Sequence, residues 1–277
     1  MSYYVHMYKE YFGFETKPFS ITSDPAFLFY SKKHREALNV LHYGIKDRVG
    51  FIEITGDIGC GKTTLCRAII AELPPSVKTA YLFNSSLTEM QFLQTFVADL
   101  GLDTLKKNRY QLFADLNNFL ISQLRNNANV VLIIDESQNL SMRLLEQIRM
   151  LSNLETDTDK LLQIVLVGQP ELRQKLDHPL LTQLKQRIAI RCHITPLTAD
   201  EVGGYIKHRL QKAGRESKQA LFDDEAVAQI YAFSQGVPRL INMICDKALL
   251  GAYAKQCPVV NQTLLIQSIQ EHQGALV

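Results

Sequence analysis

The stretch Gly56-Asp57-Ile58-Gly59-Cys60-Gly61-Lys62-Thr63 constrains this chain more than any other. Its spacing is G-x-x-x-x-G-K-T, with an apolar run, Phe51 to Thr55, before it and a helix-like run, Thr64 to Leu73, after it. Three glycines let the backbone wrap tightly, so that successive N–H groups point inward at phosphate oxygens. Lys62 is expected to reach the β- and γ-phosphates, and the Thr63 hydroxyl to ligate Mg²⁺. The N-terminus of the following helix adds the positive end of its dipole. A glycine-rich turn is the plainer alternative, but the strand–loop–helix context favours a nucleoside triphosphate site.

With 277 residues the chain has room for one large domain or two modest ones. A net charge of +2 gives no electrostatic footprint for nucleic acid. The five cysteines are an odd number without C-x-x-C or Cys/His ligand spacing, which suits reduced, mostly buried thiols in a cytoplasmic protein. Cys60 lies inside the phosphate loop, where it is open to alkylation but not needed for chemistry. No apolar run approaches the roughly 18 residues of a transmembrane helix, and no signal-peptide pattern opens the chain. Membrane association, at an inner membrane for instance, is therefore expected only through a partner.

The first thirty residues are rich in Tyr and Phe, from Tyr3 and Tyr4 through Tyr11, Phe12, Phe14 and Phe19 to Tyr30. Such rings can stack bases, but without interleaved arginines burial against the domain is the better reading, with lining an adenine pocket as a further role. Pro18 and Pro25 suggest an extended, turning segment rather than a helix. A helix capped by Ser31 runs to about Lys46, and strands are expected at 51–55, 79–83, 130–134, 161–167 and 188–194. Helices fit 88–100, 109–125 and 141–154 between them. From Pro196 the pattern turns to helices only, at about 198–212, 223–233, after Gly236 and at 262–271. This C-terminal part carries eight Lys/Arg against eight Asp/Glu, a poor balance for a DNA reader.

Val130 to Ile134 is apolar throughout, as a strand buried on both faces should be, and it ends in Asp135-Glu136. A carboxylate there can hold Mg²⁺ through its water shell, and Glu136 can polarise a water for attack on the γ-phosphate. Two solvated acids at a strand end are the bland alternative, weakened by the phosphate loop upstream. Gln169, after the strand at 161–167, can orient the attacking water or serve as a turn residue. Pro238 suits the first helical position, which puts Arg239 in the first turn. The strand at 79–83 intervenes between the phosphate-loop strand and the Asp135 strand, an arrangement that resembles the additional-strand class of P-loop ATPases.

An α/β P-loop domain with a parallel five-stranded sheet, followed by a small all-helical lid, resembles the AAA+ fold. The resemblance extends to the general secretion pathway protein A (ExeA) family. It rests on Tyr11-Phe12-Gly13-Phe14, Pro18-Phe19-Ser20-Ile21, Asp24-Pro25 and His34 to Leu38 at the start. It continues through Gly56 to Arg67, Ile134 to Leu140, Gly168 to Leu172 and Gly236 to Asn242. The resemblance implies domains at 1–30, 31–195 and 196–277. It makes Asp135 and Glu136 the Walker B pair, Gln169 the sensor 1 residue and Arg239 the sensor 2 residue. Arg187 takes the place of an arginine finger acting in a neighbouring subunit, with Arg191 as its rival. Expected contacts to ATP or ADP come from Gly56, Asp57, Ile58, Gly59, Cys60, Gly61, Lys62, Thr63, Thr64, Asp135 and Arg239, with Thr63 and Asp135 toward Mg²⁺. The longer members continue into a transmembrane segment and a peptidoglycan-binding domain. This sequence stops at Val277 and is closer to the short cytoplasmic members, and Met1 to His6 read as a start-site extension.

The function so implied is an oligomeric, ring-forming Mg-dependent ATPase that serves assembly of a secretion or type IV pilus system. The alternative is a DNA-associated ATPase that regulates transposition, less favoured by the balanced charge.

Overall fold

The computed structural model describes residues 8–83, 87–156, 159–215 and 219–274. The Met1 to His6 stretch, with Tyr3 and Tyr4, lies outside them. The chain divides into two compact units, one made of Lys32–Asp57 and Leu65–Ile194, the other of residues up to Ser31, Ile58–Thr64 and residues from Thr195 onward.

The first unit is built on five parallel strands: β1 (Phe51–Gly56), β2 (Val77–Leu82), β3 (Asn129–Ile134), β4 (Gln163–Gly168) and β5 (Ile188–Ile194). They lie in the order β2-β3-β4-β1-β5. Every residue of β1, β3 and β4 is buried, which is why these strands read as apolar runs. The strands β2 and β5 form the edges and, unlike the central three, include exposed and half-buried positions. This order corrects one expectation. The strand lying between β1 and β3 is β4, and the strand near residue 79 is at the far edge. An apolar run shows that a strand is covered on both faces but not which neighbours cover its sides.

Helices α1 (Lys32–Lys46), α2 (Lys62–Glu72), α3 (Glu89–Asp99), α4 (Arg109–Arg125), α5 (Met142–Leu151), α6 (Pro170–Leu176) and α7 (Thr182–Arg187) link the strands. Local chemistry fixes their starts. Thr88 with Gln91 and Asn108 with Gln111 form capping boxes, and Ser141 accepts from the Leu144 N–H. Leu144, Leu145, Ile148 and Leu151 form the buried stripe of α5, packed in one core with β3, β4, α3 and α4.

The second unit contains α8 (Ala199–Lys212), α9 (Asp224–Ser234), α10 (Pro238–Ala254) and α11 (Gln262–Gly274). Tyr8, Phe12, Phe14 and Phe19 are buried in the core of these helices, so burial claims these rings, whereas Tyr11 and Tyr30 stay exposed. Residues 8–12 are helical, which corrects the expectation of a wholly extended segment; Pro18 and Pro25 lie downstream and do not reach that turn. Arg209, only 5% exposed, holds the segment down. Its Nε donates to the Pro18 carbonyl at 2.6 Å and its Nη2 to the Ser20 carbonyl at 2.8 Å, with the guanidinium 4.5 Å from the centre of the Phe27 ring. The Tyr8 hydroxyl donates to Asp246 at 2.7 Å, and Arg215 donates to the Phe12 carbonyl at 2.8 Å. Among the described residues no helix is long and apolar enough to cross a membrane.

Candidate functional site

The phosphate loop leaves β1 at Gly56 and enters α2 at Lys62, with Gly59 at φ 82° and Gly61 at φ 90°. Residues with a Cβ rarely adopt that conformation, which accounts for both glycines. Gly59 is needed for a second reason: a Cβ there would stand 2.7 Å from Arg239 Cβ and 3.1 Å from Val237 Cγ1. The Arg239 N–H donates to the Gly59 carbonyl at 3.3 Å, so the first turn of α10 rests on the loop backbone while the Arg239 side chain stays exposed. Lys62 is 6% exposed and Thr63 and Thr64 are half-buried, whereas Asp57 and Ile58 face outward. Cys60 is wholly buried, which corrects the expectation of an alkylation-prone thiol.

The acid pair Asp135-Glu136 lies in the α/β unit. Because β3 and β4 are neighbours, Asp135 and Glu136 leave the sheet beside Gln169. Asp135 is wholly buried, with Oδ1 accepting from the Glu136 N–H at 2.8 Å and Oδ2 from the Tyr81 hydroxyl at 2.9 Å. Burial and then the Asp135 charge hold the Tyr81 phenol far above its ordinary pKa, so it acts as a donor at every ordinary pH. Glu136 sits in the left-handed region at φ 54°, ψ 35°, which costs a non-glycine residue about 1–2 kcal/mol. That turn aims its half-buried carboxylate toward Gln169, whose Nε2 donates to Oε2 at 3.3 Å. Gln138 donates to the same oxygen at 2.6 Å.

The two candidate fingers have different neighbours. Arg187 ends α7 and donates from Nη1 to Ser152 Oγ at 2.6 Å. Arg191, on β5, is engaged elsewhere: its Nε lies 3.2 Å from Oε2 of Glu53 and its Nη2 donates to the Lys185 carbonyl at 3.2 Å. Glu53 is a carboxylate in the middle of β1, about 1% exposed, and Arg173 of α6 holds its other oxygen at 3.1 Å. Arg173 also donates to Thr55, whose hydroxyl pairs with His193 Nδ1 at 2.9 Å. Sequence reasoning missed this cluster, Tyr81 and Gln138. The one available signal was an acid inside the otherwise apolar run of β1.

No group of three or more His, Cys, Asp or Glu among the described residues could hold a metal by itself. A hydroxyl at Thr63 and a carboxylate at Asp135 are hard oxygen donors, the set that suits Mg²⁺ sharing its shell with phosphates and water. The residues present therefore fit that ion in kind.

This sheet order, with a phosphate loop after β1 and an acid pair after β3, defines an AAA-type nucleotide-binding protein. The AAA domain family matches residues 45–176. The chain belongs to the general secretion pathway protein A family: it is 44% identical over 250 residues to General secretion pathway protein A of Aeromonas hydrophila, across 90% of this chain and 45% of that protein. It thus spans about half the length of the curated relative it matches. Among solved structures, the Aeropyrum pernix ORC2 protein (ADPNP-ADP complexes) superposes with a TM-score of 0.65 at 15% identity, over 87% of this chain and 67% of that one. Drosophila ORC bound to DNA gives 0.65 at 19% over 87% and 60%, and the Thermotoga maritima RuvB Holliday junction branch migration motor 0.56 at 17% over 87% and 69%. These likenesses are of fold.

Proposed function

We propose that this chain binds and hydrolyses ATP and, as a homo-oligomer, drives assembly of a secretion or type IV pilus system, reaching the membrane through a partner. The observation that carries the reading is the 44% identity to a general secretion pathway protein across nine-tenths of the chain. We keep the division at 1–30, 31–195 and 196–277 as part of the proposal. In it the loop N–H groups, Lys62 and Thr63 bind the triphosphate, and Asp135 with Thr63 would hold Mg²⁺, which supplies charge neutralisation when bound. Glu136 accepts the proton of the attacking water, Gln169 orients that water, and Arg239 meets the γ-phosphate from the lid. Arg187 rather than Arg191 is the residue offered to a neighbouring subunit, a choice supported by the engagement of Arg191 with buried Glu53. The transposition alternative has no observation of its own, since likeness to DNA-bound proteins at this identity is a likeness of fold.

Lys62→Ala is expected to abolish tight ATP binding in calorimetry, because the loop loses its one side-chain cation; wild-type affinity would sink the nucleotide assignment. A strain lacking the gene should lose secretion or piliation and not regain it with Lys62→Ala. Normal secretion and piliation with altered transposition would favour the alternative.

Arg239→Ala tests the lid. Its backbone rests on Gly59 whichever side chain it carries, so the loop should survive the change. ATP affinity should fall while ADP affinity holds, since only ATP offers a γ-phosphate. Unchanged ratios of the two affinities would remove Arg239 from the site.

A further inference from the structure

Gln138 has no role in the scheme above, yet both ends of its side chain are committed to residues that do. Its Oε1 accepts from the Gln169 backbone N–H at 3.0 Å, and its Nε2 donates to Glu136 Oε2 at 2.6 Å. The amide can be oriented only one way. A backbone N–H donates and a carboxylate accepts, so the oxygen must face Gln169 and the NH₂ must face Glu136. Gln169 Nε2 reaches the same Oε2 at 3.3 Å. Both donors meet one oxygen of Glu136, which leaves Oε1 to receive a proton.

The turn that carries Gln138 is fixed from beneath. Lys175 of α6 donates to the carbonyl of Gln138 and, at 2.8 Å, to that of Leu140, while Ser137 Oγ donates to the Ile134 carbonyl at 2.8 Å. The end of β4 is shaped to the amide, because a Cβ on Gly168 would stand 2.9 Å from Gln138 Oε1. A glutamate carboxylate otherwise turns through a broad torsional range, and a general base works only within hydrogen-bond reach of its proton.

We infer that Gln138 is a positioning residue for hydrolysis: it fixes which oxygen of Glu136 faces the attacking water and ties the base to the Gln169 strand end, so that the two move as one. The inference rests on the reading of Glu136 as the base. It predicts the same defect from two sides, since Gly168→Ala pushes on the amide that Gln138→Ala removes.

The test uses the full chain in single-turnover ATP hydrolysis, with ATP affinity and thermal melting measured in parallel. Gln138→Ala should lower the rate at least about tenfold, part of the roughly 10²–10⁴ that a general base supplies, with ATP affinity unchanged. Gln138→Glu keeps an acceptor for the Gln169 N–H but sets a second carboxylate against Glu136, and it should fall at least as far. In a Glu136→Gln background, Gln138→Ala should add no further loss, because the group it acts through is gone. A wild-type rate for Gln138→Glu would mean that the amide only stitches the turn, which overturns the inference. So would losses that multiply in the double variant. If Gln138→Ala does not fold, Gln138→Glu alone and combined with Glu136→Gln decides by the same criteria. An inactive Glu136→Gln beside a fully active Gln138→Ala overturns this inference and leaves the base standing; an active Glu136→Gln overturns both.

Discussion

Mixing Arg187→Ala protein with Lys62→Ala protein should restore ATP hydrolysis that neither variant shows alone. A phosphate loop encloses the triphosphate from one side, so charge developing on the γ-phosphate has to be met from outside. The first variant keeps an intact loop and the second an intact Arg187, and in a shared interface they complement. An arginine supplied in trans is worth roughly 10³–10⁵ in rate, the largest effect expected anywhere in this chain. Activity per subunit should also rise with protein concentration, and Arg187→Ala should remove that rise with little change in ATP affinity. In this chain Arg187 donates to Ser152, a neutral hydroxyl that an anionic phosphate can readily replace. Arg191 would have to leave a buried carboxylate, a loss its charge could not easily recover. A mixture that co-assembles and stays inactive would remove Arg187 from the reaction.

In Glu136→Gln protein, ATP should bind as in the wild type and persist, with hydrolysis lower by about 10²–10⁴-fold. The amide preserves shape and can still hydrogen-bond, but it is far too weak a base to take the proton. The left-handed backbone at Glu136 comes from the turn between β3 and the residues pinned by Lys175, so a glutamine should stand in the same place. Filter-binding and single-turnover assays on the same sample separate the two effects. Hydrolysis within a few-fold of the wild type would leave the water without this base.

The loop Gly56 to Thr63 stands between a strand and a helix and the pair Asp135-Glu136 at the end of a strand, places legible in sequence because each follows directly on an apolar run. The apolar runs of β1 and β3 were legible because burial on both faces leaves no room for alternation. The position of β4 between them was not, since strand order is decided by packing between segments far apart in the chain. Tyr81 and Gln138 stayed hidden for the same reason. A tyrosine in an edge strand has no mark of a carboxylate partner until β2 pairs with β3 and brings Asp135 beside it. Arg187 and Arg191 could not be separated in sequence because what distinguishes them is Glu53, on a strand distant in the chain. The helices α6 and α7, of seven and six residues, are too short to show a period.

The clasp that Arg209 places on the carbonyls of Pro18 and Ser20 has a consequence for how the protein is made. Its partners are 191 and 189 residues apart in the chain, and Tyr8 reaches Asp246 across 238. Tyr8, Phe12, Phe14 and Phe19 leave the ribosome early and therefore wait for the last helices to be synthesised before their core can close. Contacts this distant close slowly, and apolar surface exposed meanwhile invites aggregation. Trimming the N-terminal segment, a common step in preparing soluble protein, would leave α8 to α11 with an uncovered apolar face and a buried arginine without its acceptors.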